Sequence, residues 1–382
     1  MKVLISSYSN GQLNTSEKSD LMDTGKVQLV LGFGDKEILK TDNIHHLLHQ
    51  QYPAAEIILC STSGEIFEDK VMEHSVAVTA VEFDKTRIKT AMVSIDDFYQ
   101  DSFNAGFALV KQFELSDDLC YIMILSDGGK VNGSELVNGI NEYIQYKVPV
   151  TGGLAGDGTS FHSTLVGLNA EPESGKIVAI GFYSSQLKVA HGSMGGWEMF
   201  GPERVVTRSK ANQLFEINNE NALDVYKKYL GSYADELPGS ALLFPLSVKL
   251  SGTGEPVVRT ILSIDNESNS MVFAGDVPEG AKIRLMKANF DKLIDAAHGA
   301  ARQTFTSRLV PNPRLAILIS CVGRKIILDT RTEEEVEAVQ EVFGKNTLLT
   351  GFYSYGEISP FSSNSKCELH NQTMTITTFD EI

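Results

Sequence analysis

The chain has 382 residues, and with 42% hydrophobic and 21% charged residues it has the composition of a soluble globular protein of two or three domains. Its 33 basic and 49 acidic residues give a formal net charge of -16, which argues against nucleic acid as the main partner, because phosphate contacts need a basic surface. The sequence shows neither a secretory signal nor an apolar run of membrane length, and its four cysteines are widely separated, so we expect a cytoplasmic protein without a membrane partner.

The first predicted unit covers residues 27–95 and begins with a short apolar run that ends in glycine, the pattern of a strand buried on both faces. A helix, a second strand and a turn follow, and the turn contains Gly64 and Glu65. The last two segments, residues 74–83 and 87–95, alternate like an antiparallel pair. The order is therefore strand, helix, strand, turn with a carboxylate, and hairpin.

The second predicted unit, residues 119–191, repeats this order and carries Gly156 and Asp157 in its turn. Gly64 lies 37 residues after the first residue of its unit, and Gly156 lies 37 residues after the first residue of its own. Equal spacing of equal elements indicates an internal duplication.

The third predicted unit covers about residues 314–379. It has a strand, a helix with an apolar stripe and a second strand that runs into an aromatic turn with Gly356 and Glu357. We expect it to be a third copy of the same unit.

The glycine-rich segment 192–202 is the clearest change of composition and marks a domain boundary. We expect an N-terminal domain, residues 1–194, with two units, and a C-terminal domain, residues 195–382, with a mixed middle segment and the third unit. The sequence thus predicts an α/β fold in which repeated strand-helix-strand-hairpin units form two mixed-sheet domains.

Ligands of open α/β sheets bind at the carboxyl ends of the strands, where loops and helix N-termini converge. The three turns lie at that edge, so Glu65, Asp157 and Glu357 are candidate ligand-binding residues. The third turn also has Tyr353 and Tyr355 where the other turns have small residues. We expect a ligand-facing wall there.

His191 shares one face of a predicted strand with Leu187 and Val189. A neutral imidazole in an apolar pocket suits a haem iron, so His191 is the first candidate for an axial ligand and His298 is the second. The alternative for both is a structural histidine bonded to a backbone carbonyl.

Cys321 and Arg324 follow a predicted strand together, and an activated thiolate there would indicate a thiol enzyme. Trp197, in the glycine-rich segment, is either a packing wedge or a platform for a ligand. The sequence contains no nucleophile elbow, phosphate-binding loop or dinucleotide fingerprint, so we expect a protein that is not an enzyme.

Together these motifs resemble the FIST family over about 300 residues, and the combination is specific although each motif alone is weak. The resemblance rests on CSTSGEI (60–66), GGLAGDG (152–158), GGWEMFGPERVVTRS (195–209), SCVGR (320–324) and GFYSYGEISP (351–360). It implies a FIST N-terminal domain in residues 1–194 and a FIST C-terminal domain in residues 195–382.

The resemblance also implies a sensory domain of intracellular signalling proteins, which binds small molecules such as amino acids without catalysis. A subset of the family binds haem and reports nitric oxide to a partner histidine kinase or cyclic-di-GMP enzyme. Haem b is therefore an expected cofactor, bound non-covalently because the sequence has no C-x-x-C-H motif. With no kinase or cyclase segment attached, the signal is expected to pass to a separate protein.

Three hypotheses remain open. The leading one is a sensor that binds a small ligand between its two halves, with haem and nitric oxide as the specific case. In the alternative, a polar metabolite such as an amino acid presents its ammonium group to the turn carboxylates and its carboxylate to glycine amides. The third is the thiol enzyme. The expected ligand contacts are Tyr353, Tyr355, Glu357, Glu65, Asp157, Arg324 and Trp197.

Overall fold

The computed structural model describes residues 1–145, 147–250, 256–305, 313–361 and 365–382. Within these ranges the chain forms three similar α/β units and one inserted β-rich domain. Residues 146, 251–255, 306–312 and 362–364, which fall within the two predicted domains, lie outside the described residues.

The first unit, residues 1–98, contains β1 (Lys2–Ser9), β2 (Gln12–Thr15), β3 (Leu29–Gly34), α1 (Lys36–Thr41), α2 (Ile44–Gln51), β4 (Glu56–Ser61), β5 (Glu65–Phe67), β6 (Lys70–Met72), β7 (Val76–Glu82) and β8 (Arg87–Ser94). The second unit, residues 99–197, contains α3 (Ser102–Val110), β9 (Leu119–Ser126), α4 (Gly133–Ile144), β10 (Val150–Leu154), β11 (Val166–Leu168), β12 (Lys176–Tyr183) and β13 (Leu187–Met194). The inserted domain, residues 198–287, contains β14 (Glu198–Lys210), β15 (Gln213–Ile217), β16 (Glu220–Asn221), α5 (Ala222–Leu230), β17 (Leu246–Lys249), β18 (Val257–Arg259), β19 (Ile261–Asp265), β20 (Ser270–Phe273) and β21 (Lys282–Lys287). The third unit, residues 288–382, contains α6 (Phe290–Gln303), β22 (Leu315–Cys321), α7 (Val322–Leu328), α8 (Thr332–Phe343), β23 (Leu348–Ser354), β24 (Gly356–Pro360), β25 (Cys367–His370) and β26 (Met374–Glu381).

Each unit forms the centre of one six-stranded mixed sheet, with the orders β4-β3-β7, β10-β9-β12 and β23-β22-β26. In each centre the first two strands are parallel and the third is antiparallel to its neighbour. The predicted mixed α/β fold is confirmed.

Neighbouring units complete these sheets by lending strands. On one edge β8 of the first unit pairs with β12 of the second, and β13 of the second unit pairs with β26 of the third, whereas β1 pairs with β7 of its own unit. On the other edge β11 pairs with β4, β24 with β10, and β5 with β23. The three units therefore form a closed ring.

The predicted pairing of residues 74–83 with residues 87–95 is wrong, because β7 and β8 lie in different sheets. β8 leaves its own unit and covers the edge of β12, so the same alternating pattern is satisfied by a partner far along the chain.

The core of the ring lies where the inner faces of the three sheets meet. Phe33, Leu125 and Ile319 occupy equivalent positions there and are buried. The outer faces are covered by α1 and α2, by α3 and α4, and by α6 and α8. Every residue of β3 is buried, as the apolar run of the first unit predicted, and every residue of β22 in the third unit is buried as well.

The inserted domain has its own sheet, in the order β18-β17-β21-β14-β15-β20-β19, and its own core with α5. It sits over loops of the second and third units: Ser134 Oγ accepts from Asp276 N at 3.1 Å, and Arg259 donates to the carbonyl of Leu369 at 2.9 Å. None of the helices in the described ranges is long and apolar enough to span a membrane. The domain boundary at residues 194/195 stays a prediction.

Candidate functional site

The turns of the three units meet in a closed cycle of backbone hydrogen bonds. Each bond joins the turn of one unit to the end of a strand in its neighbour: Gly156 N to Ser61 O at 2.9 Å, Ser63 N to Tyr353 O at 2.8 Å, and Tyr355 N to Leu154 O at 3.2 Å. The turns therefore occupy equivalent places, as their shared pattern predicted.

Glu65 and Glu357 are equivalent in this cycle and are both buried. The Glu65 carboxyl group is hydrogen-bonded to the hydroxyls of Thr62 at 2.5 Å and Ser75 at 2.6 Å, and that of Glu357 to the hydroxyls of Ser354 at 2.7 Å and Thr373 at 2.9 Å. Burial raises the pKa of each carboxyl to about 8. Both side chains brace their own turns, and neither faces an open site.

Asp157 stands one residue earlier in the cycle, at the position of Gly64 and Gly356, because the registers of β4, β10 and β23 align the strands that way. Its carboxylate accepts from the hydroxyl of Tyr355 and from the ammonium of Lys36. Burial alone would raise the pKa of Asp157, but these donors and two backbone amides outweigh it and lower that pKa. Asp157 was expected to be equivalent to the two glutamates, whereas it lies one residue before their position in the turn.

Each pair of neighbouring units meets at a junction, where the loop after the first central strand of one unit faces the turn of the next. At the first junction, Lys36 Nζ donates to Ser163 Oγ at 2.9 Å and to Asp157 at 3.3 Å. At the third junction, Lys325 Nζ donates to Ser63 O at 2.7 Å and to Glu73. Both junctions are closed by these lysines.

The second junction holds a cavity of about 320 Å³. Its described lining comes from the loop between β9 and α4, from the turn of the third unit and from the inserted domain: Gly128, Gly129, Lys130, Val131, Asn132, Gly133, Leu154, Phe161, Asn212, Leu262, Phe273, Ala274, Gly275 and Tyr355. The volume is at the lower end of the range of small-molecule sites. A small ligand fits here.

Tyr355 lines this cavity, where a ligand-facing aromatic residue was expected. Its ring stacks on Phe161 with a centroid distance of 4.7 Å and an angle of 19°. Burial, followed by the hydrogen bond to Asp157, raises the pKa of Tyr355, so the hydroxyl stays protonated and donates. The same oxygen accepts from Phe161 N at 3.1 Å. Tyr355 thus ties the third unit to the second at the cavity wall.

The loop at the cavity floor is held by Asp127, which accepts from Gly129 N at 2.8 Å and from Lys130 N at 2.6 Å. Gly128 has no room for a side chain, because a Cβ there would lie 2.1 Å from Ala155 O. Lys130 turns its ammonium to Asp96, 3.6 Å away. The backbone of this loop is therefore fixed, and the Lys130 side chain is its adaptable part.

Tyr353 and Arg324 lie elsewhere, in a buried polar network of the third unit. Arg324 forms an ion pair with Glu335 at 2.7 Å, and the Tyr353 hydroxyl donates to the same carboxylate at 2.8 Å. Arg324 also donates to Gly195 O at 2.7 Å. The expected ligand-facing position of Tyr353 and Arg324 is not observed, because the strand alternation turns Tyr353 outward under α8, where these groups satisfy one another.

Trp197 lines a separate open groove of about 630 Å³, and its indole donates to Gln372 O at 2.9 Å. Cys321 is buried, and burial raises the pKa of its thiol. With Arg324 committed to Glu335, the residues do not fit the thiol enzyme.

His191 and His298 are half-buried on β13 and α6, and burial lowers the pKa of His191. Neither histidine is among the described residues that line the cavity or the groove. No group of three or more histidine, cysteine or carboxylate side chains in the described ranges could hold a metal ion. The linings of these two spaces therefore do not fit a haem with a histidine ligand.

Sequence reasoning missed Lys130, Phe161 and the whole contribution of the inserted domain. Lys130 directly follows the Asp-Gly-Gly stretch at the end of β9, so its position on the strand edge was a usable signal. Nothing local marks Leu262 or Phe273, which reach the cavity through the packing of the inserted domain.

Residues 28–220 match the family model described as FIST N domain, and residues 222–360 match the one described as FIST C domain. A search of curated proteins finds no match. Among solved structures, a cyanuric acid hydrolase is 8% identical with a TM-score of 0.35, covering 94% of this chain and 92% of its own. A chorismatase is 9% identical with a TM-score of 0.34, covering 99% of this chain and 98% of its own. At these TM-scores the two enzymes carry no argument about this chain.

Proposed function

We propose that this chain, which belongs to the FIST family, senses a small ligand in the cavity of the second junction and passes its presence to a separate signalling protein. FIST domains are sensor domains that bind small ligands in signalling proteins. The observation that carries the proposal is the composition of the cavity wall, which draws on both halves of the chain. The half matching FIST N supplies residues 128–133, Leu154, Phe161 and Asn212, and the half matching FIST C supplies Leu262, residues 273–275 and Tyr355.

A ligand held between two halves changes the free energy of their relative placement, because it binds most tightly where both walls touch it. The inserted domain meets the ring through polar contacts such as Asn132 Nδ2 to Asp276 Oδ1 at 3.0 Å, and through a small apolar cluster in which Leu242 and Leu243 pack near Leu293. Interfaces of this kind permit relative motion. Occupation of the cavity then shifts the inserted domain against the ring, and the moved surface is what a partner reads.

The partner in this proposal is a separate histidine kinase or cyclic-di-GMP enzyme, and the chain itself is non-catalytic and cytoplasmic. A kinase autophosphorylation assay with and without the chain tests this step. The expected result is a change of kinase rate that depends on a cavity ligand. A rate that ignores the ligand would contradict it.

Haem and nitric oxide remain a proposal with its own test, since His191 and His298 lie outside the cavity lining. Purified protein is mixed with ferrous haem and then with nitric oxide. A stoichiometric Soret band that shifts with nitric oxide and disappears in His191→Ala would favour haem. Without such a band, the haem hypothesis fails and a metabolite remains as the proposed class of ligand.

The central experiment blocks the cavity with a side chain at Gly129. A Cβ at Gly129 would have Asp127 Oδ1 as its nearest neighbour, at 3.6 Å, and the backbone of His162 and Ser163 at 3.9 Å, so a side chain can begin there in ordinary van der Waals contact. Gly129→Leu is expected to abolish the rise in melting temperature that a metabolite panel produces with the unmodified protein.

The matched control is Gly239→Leu, at a position with nothing within 4 Å of the added Cβ. It should leave every ligand-induced shift intact. A panel compound that stabilises Gly129→Leu as much as the unmodified protein would place the ligand outside this cavity.

A further inference from the structure

The described lining of the cavity carries positive charge only. Lys130 is the only charged residue among the lining residues that the structure describes, in a chain with a formal net charge of -16. Its ion pair with Asp96 is half-exposed on both sides and 3.6 Å long, which makes it a weak pair. Its ammonium can therefore leave Asp96 for a ligand.

Carboxylates do lie behind the lining, but each has donors of its own. Asp127 accepts from two loop amides and from Ser174 and Gly175. Asp157 is bonded to Tyr355 and Lys36, and Asp276 accepts from Asn132. Beside Asp276, Glu135 is partly buried, and burial followed by Asp276 raises its pKa. These groups are bonded within the protein, whereas Lys130 lines the cavity and its ammonium is held by the half-exposed pair with Asp96.

The apolar part of the lining comes from both sides. Phe161 from the ring and Leu262 from the inserted domain are each 46% exposed at the cavity. Phe161 already stacks on Tyr355 through one face. A planar ring on this surface would bury apolar area and extend the stack.

The lysines of the first and third junctions can be compared with Lys130 of the second. Lys36 is the first residue of α1 and Lys325 lies in α7, the helices that follow the corresponding strands, and both ammonium groups donate to oxygen atoms of the next unit. Lys130 makes no such contact across the second junction among the described residues, where the loop has Gly128 and Gly129 instead. A negative oxygen supplied by a ligand would complete the pattern.

We propose that the cavity binds a small aromatic carboxylate, whose ring lies against Phe161 and Leu262 and whose carboxylate draws Lys130 away from Asp96. This inference rests on the proposed function, since it names the chemical class of the ligand at the same cavity. It differs from the amino-acid hypothesis because the carboxylates of Glu65 and Glu357 are buried away from any ligand ammonium.

Three probes of nearly equal shape test the charge: benzoate, benzamide and benzylamine. Isothermal titration of the full chain should show benzoate binding at least about tenfold more tightly than the other two, the ratio typical of one charge-assisted contact. Lys130→Met should remove this preference, Lys130→Arg should keep it, and the exposed Lys40→Met should match the unmodified protein. Asp96→Asn should tighten benzoate binding, because Lys130 then has no competing partner.

Equal binding of benzoate and benzamide, tighter binding of benzylamine, or a preference that survives Lys130→Met would each overturn the inference. So would the failure of all three probes to bind. The Gly129→Leu experiment separates the two claims. A metabolite that binds the unmodified protein but not Gly129→Leu keeps the proposed function even when the charge preference fails.

Discussion

The second junction of the ring differs from the first and third in what fills the space between neighbouring units. Lys36 fills the first and Lys325 fills the third, and both are bonded to protein oxygens. At the second junction Lys130 is turned to Asp96, a cavity lies between the units, and the inserted domain covers the opening. In the described part of the chain, one repeated architecture thus gives two contacts closed by lysines and one cavity, and the difference lies in these side chains and in the inserted domain.

The largest expected effect concerns the third junction, which Lys325 closes. Arg324 precedes Lys325 and forms a fully buried ion pair with Glu335. Arg324→Met leaves the Glu335 carboxylate buried without its partner, so we expect a loss of about 3–5 kcal/mol in the free energy of unfolding, measured with urea. The exposed pair of Arg331 with Glu334 supplies the control, and Arg331→Met should cost less than about 1 kcal/mol. Equal losses would mean that burial does not govern this network.

The next expected effect is a dependence of stability on pH. It distinguishes the turns of the first and third units from the turn of the second. Glu65 and Glu357 keep their protons up to about pH 8 in the folded protein, whereas the ordinary pKa is 4.5. Their contribution to stability is complete below pH 4.5 and is lost as the pH rises through 8. Each pH unit in that interval corresponds to about 1.4 kcal/mol for one carboxyl, so between pH 6 and pH 8 we expect the free energy of unfolding to fall by about 2 kcal/mol for each of the two groups.

Glu357→Gln isolates this pH effect. His370, whose pKa burial lowers to about 4, acts with the opposite sign at lower pH and is the same in both proteins. Urea unfolding at pH 6 and pH 8 should show a smaller fall in the variant than in the unmodified protein. Identical slopes would mean that the Glu357 carboxyl is already ionised at pH 6.

The smallest effect compares two lysines directly. Lys36 is largely buried and meets the nearly buried Asp157, so Lys36→Met should cost about 1–2 kcal/mol. Lys130→Met breaks only a half-exposed pair and should cost less than about 0.5 kcal/mol. Thermal unfolding of both variants at equal concentration measures the difference. If Lys130→Met were the more damaging change, the second junction would be closed by its lysine like the others.

Much of the ring could be predicted from sequence because its pattern is local. Glycine-ended apolar runs and turns at equal spacing located the three units, and the aromatic turn led to Tyr355 at the cavity. The sequence predicted that Asp157 is equivalent to Glu65 and Glu357, but in the structure it lies one residue before their position. A sequence shows that a turn is present, but it does not show the strand register that fixes which turn residues are equivalent. Tyr353 was expected at a ligand for the same reason: its neighbour Phe352 faces the central core, and Tyr353 faces α8.

The exchange of strands between units could not be predicted. An alternating pattern indicates which face of a strand is buried, but it does not indicate which strand lies beside it. The same holds for the cavity roof. Leu262 and Phe273 look like ordinary strand residues in the sequence, and they reach the cavity only because the inserted domain packs over the ring.

The lending of strands has a mechanical consequence for a sensor. Because β8, β13, β5, β11 and β24 each complete a neighbour's sheet, no unit can rotate without breaking a ladder of backbone hydrogen bonds. The ring therefore behaves as a rigid frame, and hydrogen exchange should show its central strands opening together at the slowest rate. In the proposed function, the inserted domain is the part that moves against this frame when the cavity is occupied.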